Sequence, residues 1–130
     1  MKVLALDYGS ARTGVAVSDP TGTLARPLCV VRKAGTGDGL AELARLIGTE
    51  EVDRVVVGMP LTLRGHAGEQ AVETERFVEA LREVVEVPVE TFDERFTTTL
   101  AAQSGGAGEE DARAAAHLLE GYLEWSSRRG

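Results

Sequence analysis

Lys2-Val3-Leu4-Ala5-Leu6-Asp7-Tyr8-Gly9-Ser10-Ala11-Arg12-Thr13-Gly14-Val15-Ala16-Val17-Ser18-Asp19-Pro20-Thr21-Gly22 holds two short apolar runs, each closed by turn residues. Lys2 to Leu6 and Gly14 to Val17 have strand length and lack helical spacing, so both are expected to be β-strands. Asp19, Pro20 and Gly22 occupy the positions they favour in a type I turn, which sends the chain straight into a third strand over Leu24 to Val31. Pro27 has no N–H to give a ladder, and that places the third strand at a sheet edge or at a bulge. The opening of the chain is therefore an antiparallel meander.

Beyond the meander the periodicity changes. After the glycine-rich linker Gly35 to Gly39, Leu40, Leu43, Ala44 and Ile47 recur at helical spacing before Gly48. Arg54 to Val57 is a β-branched run closed by Gly58-Met59-Pro60, suited to a strand buried on both faces. A polar loop, Leu61 to Gly68, leads to a long helix traced by Ala71, Thr74, Val78, Leu81 and Val85, with Val72, Phe77, Ala80 and Val84 widening its apolar stripe. Pro88 ends that helix, and Val87 to Phe92 forms a fifth strand. Thr97 or Thr98 can cap a brief helix through Gln103, Ser104 to Gly108 forms a break, and Ala112, Ala115, Ala116, Leu119, Tyr122 and Leu123 mark a last helix. This order implies an α/β fold with a mixed five-stranded sheet covered by helices, the pattern of ribonuclease-H-like folds.

At 130 residues the chain has room for one domain, expected over 1–130, and for a core that needs neither disulfide nor structural metal. Its single cysteine, Cys29, cannot form an internal disulfide, and Cys29 with two scattered histidines makes no zinc site. Asp7 interrupts the first apolar run well before signal-peptide length, and no run approaches a membrane span, so the expected setting is cytoplasmic with no membrane partner. The net charge of −7 argues against a nucleic-acid partner until its distribution is considered. Residues 1–68 hold 8 basic and 7 acidic side chains, residues 69–130 hold 6 and 14, so a polyanion would meet the first half.

Acidic residues fall at element ends: Asp7 closes the first strand, Asp93-Glu94 closes the fifth, and Asp111 begins the last helix. Singly, Asp7 suits a turn, Glu94 suits a surface pair with Arg95 or Arg12, and Asp111 suits a helix dipole. Jointly, parallel first and fifth strands with the last helix across their ends would converge three carboxylates. Hard cations want such oxygens, and two Mg²⁺ or Mn²⁺ ions about 4 Å apart can activate water and neutralise a leaving oxygen in phosphodiester cleavage. Arg12, Arg64 and His66 lie in loops near this face and are candidates to hold phosphate. His117, Phe96, Tyr122 and Trp125 are expected to be packing or surface residues.

Three ordered motifs carry a resemblance: Leu6-Asp7-Tyr8-Gly9-Ser10-Ala11-Arg12-Thr13-Gly14, Val57-Gly58-Met59-Pro60 with Gly65 and Gly68, and Asp93-Glu94-Arg95-Phe96-Thr97-Thr98. A fourth, Asp111 to Leu123, resembles the family's terminal helix. Together they resemble the YqgF family, ribonuclease-H-like proteins described as Holliday junction resolvases and as nucleases maturing the 5′ end of pre-16S ribosomal RNA. The resemblance implies metal-binding catalytic roles for Asp7, Glu94 and Asp111, and places Arg12 and Arg95 near the substrate backbone. It implies a Mg²⁺- or Mn²⁺-dependent nuclease acting on structured RNA. Resolution of branched DNA, which would need two linked sites and hence a homodimer, is the alternative. A catalytically silent ribosomal-precursor-binding factor is a third reading, and an ATPase of the actin and sugar-kinase type is disfavoured because it needs two domains. Family members often carry a lysine-rich stretch before the final aspartate, where this chain has Gly105-Gly106-Ala107-Gly108-Glu109-Glu110. That departure leaves Glu109 and Glu110 open as partners of Asp111, as Asp93 is of Glu94.

Overall fold

The computed structural model describes residues 1–60, 68–93 and 107–129. Along the chain run β1 (Val3–Asp7), β2 (Arg12–Ser18), β3 (Ala25–Arg32), α1 (Gly37–Thr49), β4 (Arg54–Met59), α2 (Glu69–Val84), β5 (Val89–Asp93) and α3 (Ala107–Arg129). The strands form one five-stranded sheet in the order β3-β2-β1-β4-β5. β1–β2 and β2–β3 pair antiparallel, whereas β1–β4 and β4–β5 pair parallel, which is the mixed sheet expected from the element order. The expected loop at 61–67 and the brief helix ending at Gln103 lie outside the described residues.

Strand alternation sorts the apolar side chains into two cores. Leu4, Leu6, Val15, Val17, Val55 and Val57 point to one face, where Leu43 and Ile47 of α1 and Phe77, Val78 and Leu81 of α2 cover them. Val3, Ala5, Ala16, Val56 and Phe92 point to the other, beneath Ala115, Leu118, Leu119 and Tyr122 of α3. Small residues at 5 and 16 let α3 lie close over β1 and β2. Leu119 is fully buried there, and truncating such a leucine to alanine costs about 2–5 kcal/mol.

Pro27 meets both expectations for it. β3 is an edge strand, and its ladder shifts where Val15 faces Cys29 and Ala16 faces Pro27, leaving Leu28 as the extra residue of a bulge. The β2–β3 turn closes as expected through a Gly22 N–H donated to the Asp19 carbonyl at 3.0 Å. Asp19 reinforces it by accepting from the Thr21 hydroxyl and from the Leu24 and Thr23 N–H groups, which together hold its carboxyl far below the usual range.

Four expectations need correction. The glycine-rich segment 35–39 is not all linker, because α1 starts at Gly37 with Thr36 as its cap, its hydroxyl accepting from Gly39 N–H at 3.2 Å. Gly39 is required there: a Cβ would sit 2.2 Å from the Lys33 carbonyl oxygen. Val72 and Val84 do not widen the buried stripe of α2, being 45% and 47% exposed on its outer side. β5 begins at Val89, two residues later than expected, because Pro88 precedes it and its carbonyl already accepts from Val55 N–H. α3 begins at Ala107, so Ala107 and Gly108 belong to the helix and not to the break, and Asp111 sits in its second turn. Cys29 is half-buried.

Candidate active site

Because β1, β4 and β5 run parallel, their carboxyl ends share one edge of the sheet, the place where open α/β sheets bind ligands. Asp7 is the last residue of β1, on the same side as Val3 and Ala5 and therefore on the α3 side. Its ladder partner across β2 is Gly14. At Gly14 the helix comes so close that an added Cβ would lie 1.8 Å from the Asp111 carbonyl oxygen and 2.4 Å from its carbon. Gly14 thus neighbours Asp7 across the ladder and Asp111 across the layer, and the two acids are drawn to one spot from positions far apart in sequence. Gly14 is a residue the sequence reading took only as the start of a strand. An isolated glycine inside a β-branched run is the signal that could have found it, since it marks close backbone approach.

Arg12, expected in a loop, is instead the first residue of β2, paired with Arg32 of β3, and reaches Asp111 with Nε at 3.1 Å from Oδ2. The two side chains are 44% and 31% exposed, so the pair is worth about 0–1 kcal/mol and is readily displaced. The Oδ2 atom itself is shielded from water, yet no N–H is aligned on it as a hydrogen bond. A shielded carboxylate oxygen with unmet acceptor capacity is what a hard cation would fill, so Asp111 fits a divalent metal.

Tyr8, the next residue after Asp7, turns to the opposite face and stacks on Phe77 with ring centroids 4.4 Å apart. Burial raises its phenol pKa, and the Glu73 carboxylate beside it raises it further. The stacked ring anchors the chain immediately past Asp7.

Between Asp93 and Glu94, the alternation of β5 bears on the first. Val89 lies in the core under α1 and α2 and Phe92 in the core under α3, so Asp93 is directed away from the α3 side. Glu94 and Arg95, like Arg64 and His66, lie outside the described residues. Of the three expected acids, the described residues include Asp7 and Asp111, and among the described residues no group of three or more His, Cys, Asp or Glu side chains is placed to hold a metal. Glu110 is half-buried on α3 beside Asp111. His117 lies further along α3 with Nδ1 3.2 Å from Glu120 Oε1, a surface contact. Tyr122 and Trp125 pack against Phe92 as part of the aromatic core, as expected of them.

The family described as "RuvX: Holliday junction resolvase" matches residues 1–125. A protein of Chloroflexus aggregans described as "Putative pre-16S rRNA nuclease" is 46% identical over 101 residues, spanning 78% of this chain and 71% of that one. A protein of Rubrobacter xylanophilus with the same description is 44% identical over 131 residues, spanning 95% and 92%. Among solved structures, RuvC of T. thermophilus in complex with a Holliday junction substrate superposes with a TM-score of 0.67 at 18% identity, covering 100% of this chain and 96% of that one, a likeness of fold. Match span, identity and sheet topology agree, and the chain belongs to the RuvX family, also called YqgF.

Proposed function

We propose that this chain is a divalent-metal-dependent nuclease that hydrolyses phosphodiester bonds in 5′-end processing of pre-16S rRNA, with Asp7, Glu94 and Asp111 as its catalytic acids. The observation that carries this reading is the shielded Oδ2 of Asp111, which no N–H meets in hydrogen-bond alignment and which only the weak pair with Arg12 offsets, beside the ladder partner of Asp7. The name borne by the relatives from Chloroflexus and Rubrobacter supports the RNA substrate. Two Mg²⁺ or Mn²⁺ ions bound by these carboxylates would supply an activated water and charge neutralisation at the leaving oxygen.

The side chains divide the remaining work. Asp7 and Asp111 provide hard oxygen ligands from a strand end and a packed helix, and Glu94 is the third acid by its place in the Asp93-Glu94-Arg95 motif. Arg12 offsets the negative charge of Asp111 and, once released from that weak pair, is positioned to hold a phosphate oxygen, a role also proposed for Arg64 and Arg95. The reading sets the protein in the cytoplasm; among the described residues no helix is long and apolar enough to cross a membrane.

Resolution of Holliday junction DNA is the second reading, favoured by the description of the matching family, and it would require a homodimer presenting two sites. Both are tested by incubating the protein and its Asp7→Asn variant with a pre-16S leader RNA and with a four-way DNA junction, with Mg²⁺, Mn²⁺ or EDTA. Metal-dependent cleavage of the RNA by the parent alone is the expected result, and cutting of the junction alone would substitute the second reading. No cleavage of either by the parent would refute both and leave a precursor-binding factor.

A further inference from the structure

Most basic side chains of the described residues stand beside an acid. Lys2 and Arg26 reach Glu50 at 3.2 and 3.7 Å, Arg54 reaches Glu90 at 3.6 Å, Arg82 reaches Glu79 at 2.7 Å, and Arg128 reaches Glu124 at 3.9 Å. Arg32 and Lys33, consecutive at the end of β3 and both exposed, have no such partner among the described residues. Arg76 shares that state, but it lies on α2 among Glu73, Glu75 and Glu79, where the surrounding field is negative.

The placement of Arg32 runs against ordinary sheet design. It is the ladder partner of Arg12, so two guanidinium side chains project side by side on the α3 side, their Cβ atoms about 5 Å apart. Like charges directly opposed destabilise a sheet, and only Arg12 is offset, by Asp111. Lys33 carries a second cost, a left-handed backbone with φ of 47° in a residue that is not glycine. The neighbours hold it there: Lys33 N–H donates to the Ala11 carbonyl at 3.0 Å, while its carbonyl accepts from Thr36 N–H at 3.0 Å and from the Thr36 hydroxyl at 2.7 Å. Two unfavourable placements thus fix a row of cations, Arg12, Arg32 and Lys33, at the same sheet end as Asp7 and Asp111. Local unfavourable features that surrounding structure enforces cluster at ligand sites.

We propose that this end of the β2–β3 ribbon is a phosphate-backbone ridge, on which Arg32 and Lys33 hold the nucleic-acid strand that flanks the phosphate at Asp7 and Asp111. The proposal deepens the nuclease reading and rests on it for the direction of the strand. It also bears on how a chain with a net charge of −7 grips a polyanion: the acidic side chains of α2 lie behind the sheet, and Glu120 and Glu124 of α3 stand beside Leu24 and Ala25 at the start of β3, the end opposite the ridge. The ligand chemistry is the phosphodiester backbone, common to RNA and DNA.

The test is salt-dependent binding by fluorescence anisotropy in EDTA, using a fluorescein-labelled pre-16S leader RNA and a labelled four-way DNA junction. Arg32→Gln and Lys33→Asn remove the charges singly and together, asparagine being tolerated in the left-handed conformation. Arg45→Gln, which removes one exposed charge on α1, is the control for net charge. Each ridge substitution is expected to weaken binding about 5-fold near 0.1 M salt and to lower the slope of log K against log salt by about 0.7–0.9, with no change for the control. Loss of slope on RNA, on the junction or on both supports the ridge and tells which backbone it holds. Parental slopes for the double variant, or an equal loss for Arg45→Gln, would overturn it. Cleavage by the parent protein with Mn²⁺ is read separately: a fallen slope without parental cleavage keeps the ridge and removes the nuclease reading, whereas parental cleavage with an unchanged slope removes the ridge alone.

Discussion

Replacing Gly14 by alanine tests the close approach on which the candidate site depends. The new Cβ would stand 1.8 Å from the Asp111 carbonyl oxygen and 3.1 Å from Ala112 N, both of them backbone atoms that no rotamer change can move. Restoring even a 3.0 Å contact requires α3 and β2 to separate by at least about 1.2 Å. That separation loosens Ala112, Ala115 and Ala116, all buried against the sheet. Overpacking of this kind costs about 1–3 kcal/mol. For 130 residues each kcal/mol moves Tm by about 4 °C, so a fall of about 4–12 °C is expected in a calorimetric or circular-dichroism melt. Displacing Asp111 by about 1 Å should also slow RNA cleavage about 100-fold at a temperature where the variant is folded. Gly48→Ala is the counterpart: nothing lies within 4 Å of its Cβ position inside α1, so the same methyl should stabilise by about 0.5–1 kcal/mol and raise Tm by about 2–4 °C. A Gly14→Ala protein that melts within 2 °C of the parent, an interval that is about 0.5 kcal/mol, and cleaves normally would refute the reasoning.

Asp111→Asn keeps the shape of the side chain and removes a metal oxygen's charge, so Mn²⁺ affinity by calorimetry should fall at least about 10–100-fold, the loss that even outer partners of a metal site carry. Its Tm should stay within about 4 °C, because the Arg12 pair it breaks contributes about 0–1 kcal/mol. Asp19 has a folded pKa below its unfolded value of about 3.9, so its stabilisation is complete above that pH and is lost as pH falls through the acid range. Asp19→Asn should therefore lower stability at pH 7 and flatten the decline in Tm between pH 4 and pH 2, an interval set by that pKa of about 3.9; an unchanged acid profile would remove the turn as its cause. Thr36→Ala deletes the cap of α1 and should cost about 1 kcal/mol, or about 4 °C in Tm.

The meander was legible because each of its signals acts locally. Pro27 lacks a donor wherever it stands, and Asp19, Pro20 and Gly22 specify their turn without help from the rest of the chain. Helix starts were less legible, since Gly37 and Gly39 weaken a helix by propensity, and Gly39 is there for the close approach of α1 to the Lys33 carbonyl, a demand of packing and not of propensity. The same holds at Ala107 and Gly108, which composition marks as a break and packing of α3 makes helical. Of the site, Asp7 and Asp111 were found from their positions at element ends, but Gly14, which brings them together, carries no charge and drew no chemical attention. Arg32 and Lys33 were passed over because they follow the expected strand end at Val31, where a pair of cations resembles any solvated turn until Arg12 is known as the ladder partner of Arg32.

Pro27 also shapes how copies of this protein meet one another. A foreign strand laid along the outer flank of β3 would find a missing N–H and, at Leu28, a kinked spacing that no regular ladder can follow. That flank is thereby protected against runaway strand addition during synthesis and at high concentration. The opposite flank, along the short β5, has no proline, and a mutation that lengthened it or stripped its acidic residues would be the one to promote fibrous self-association.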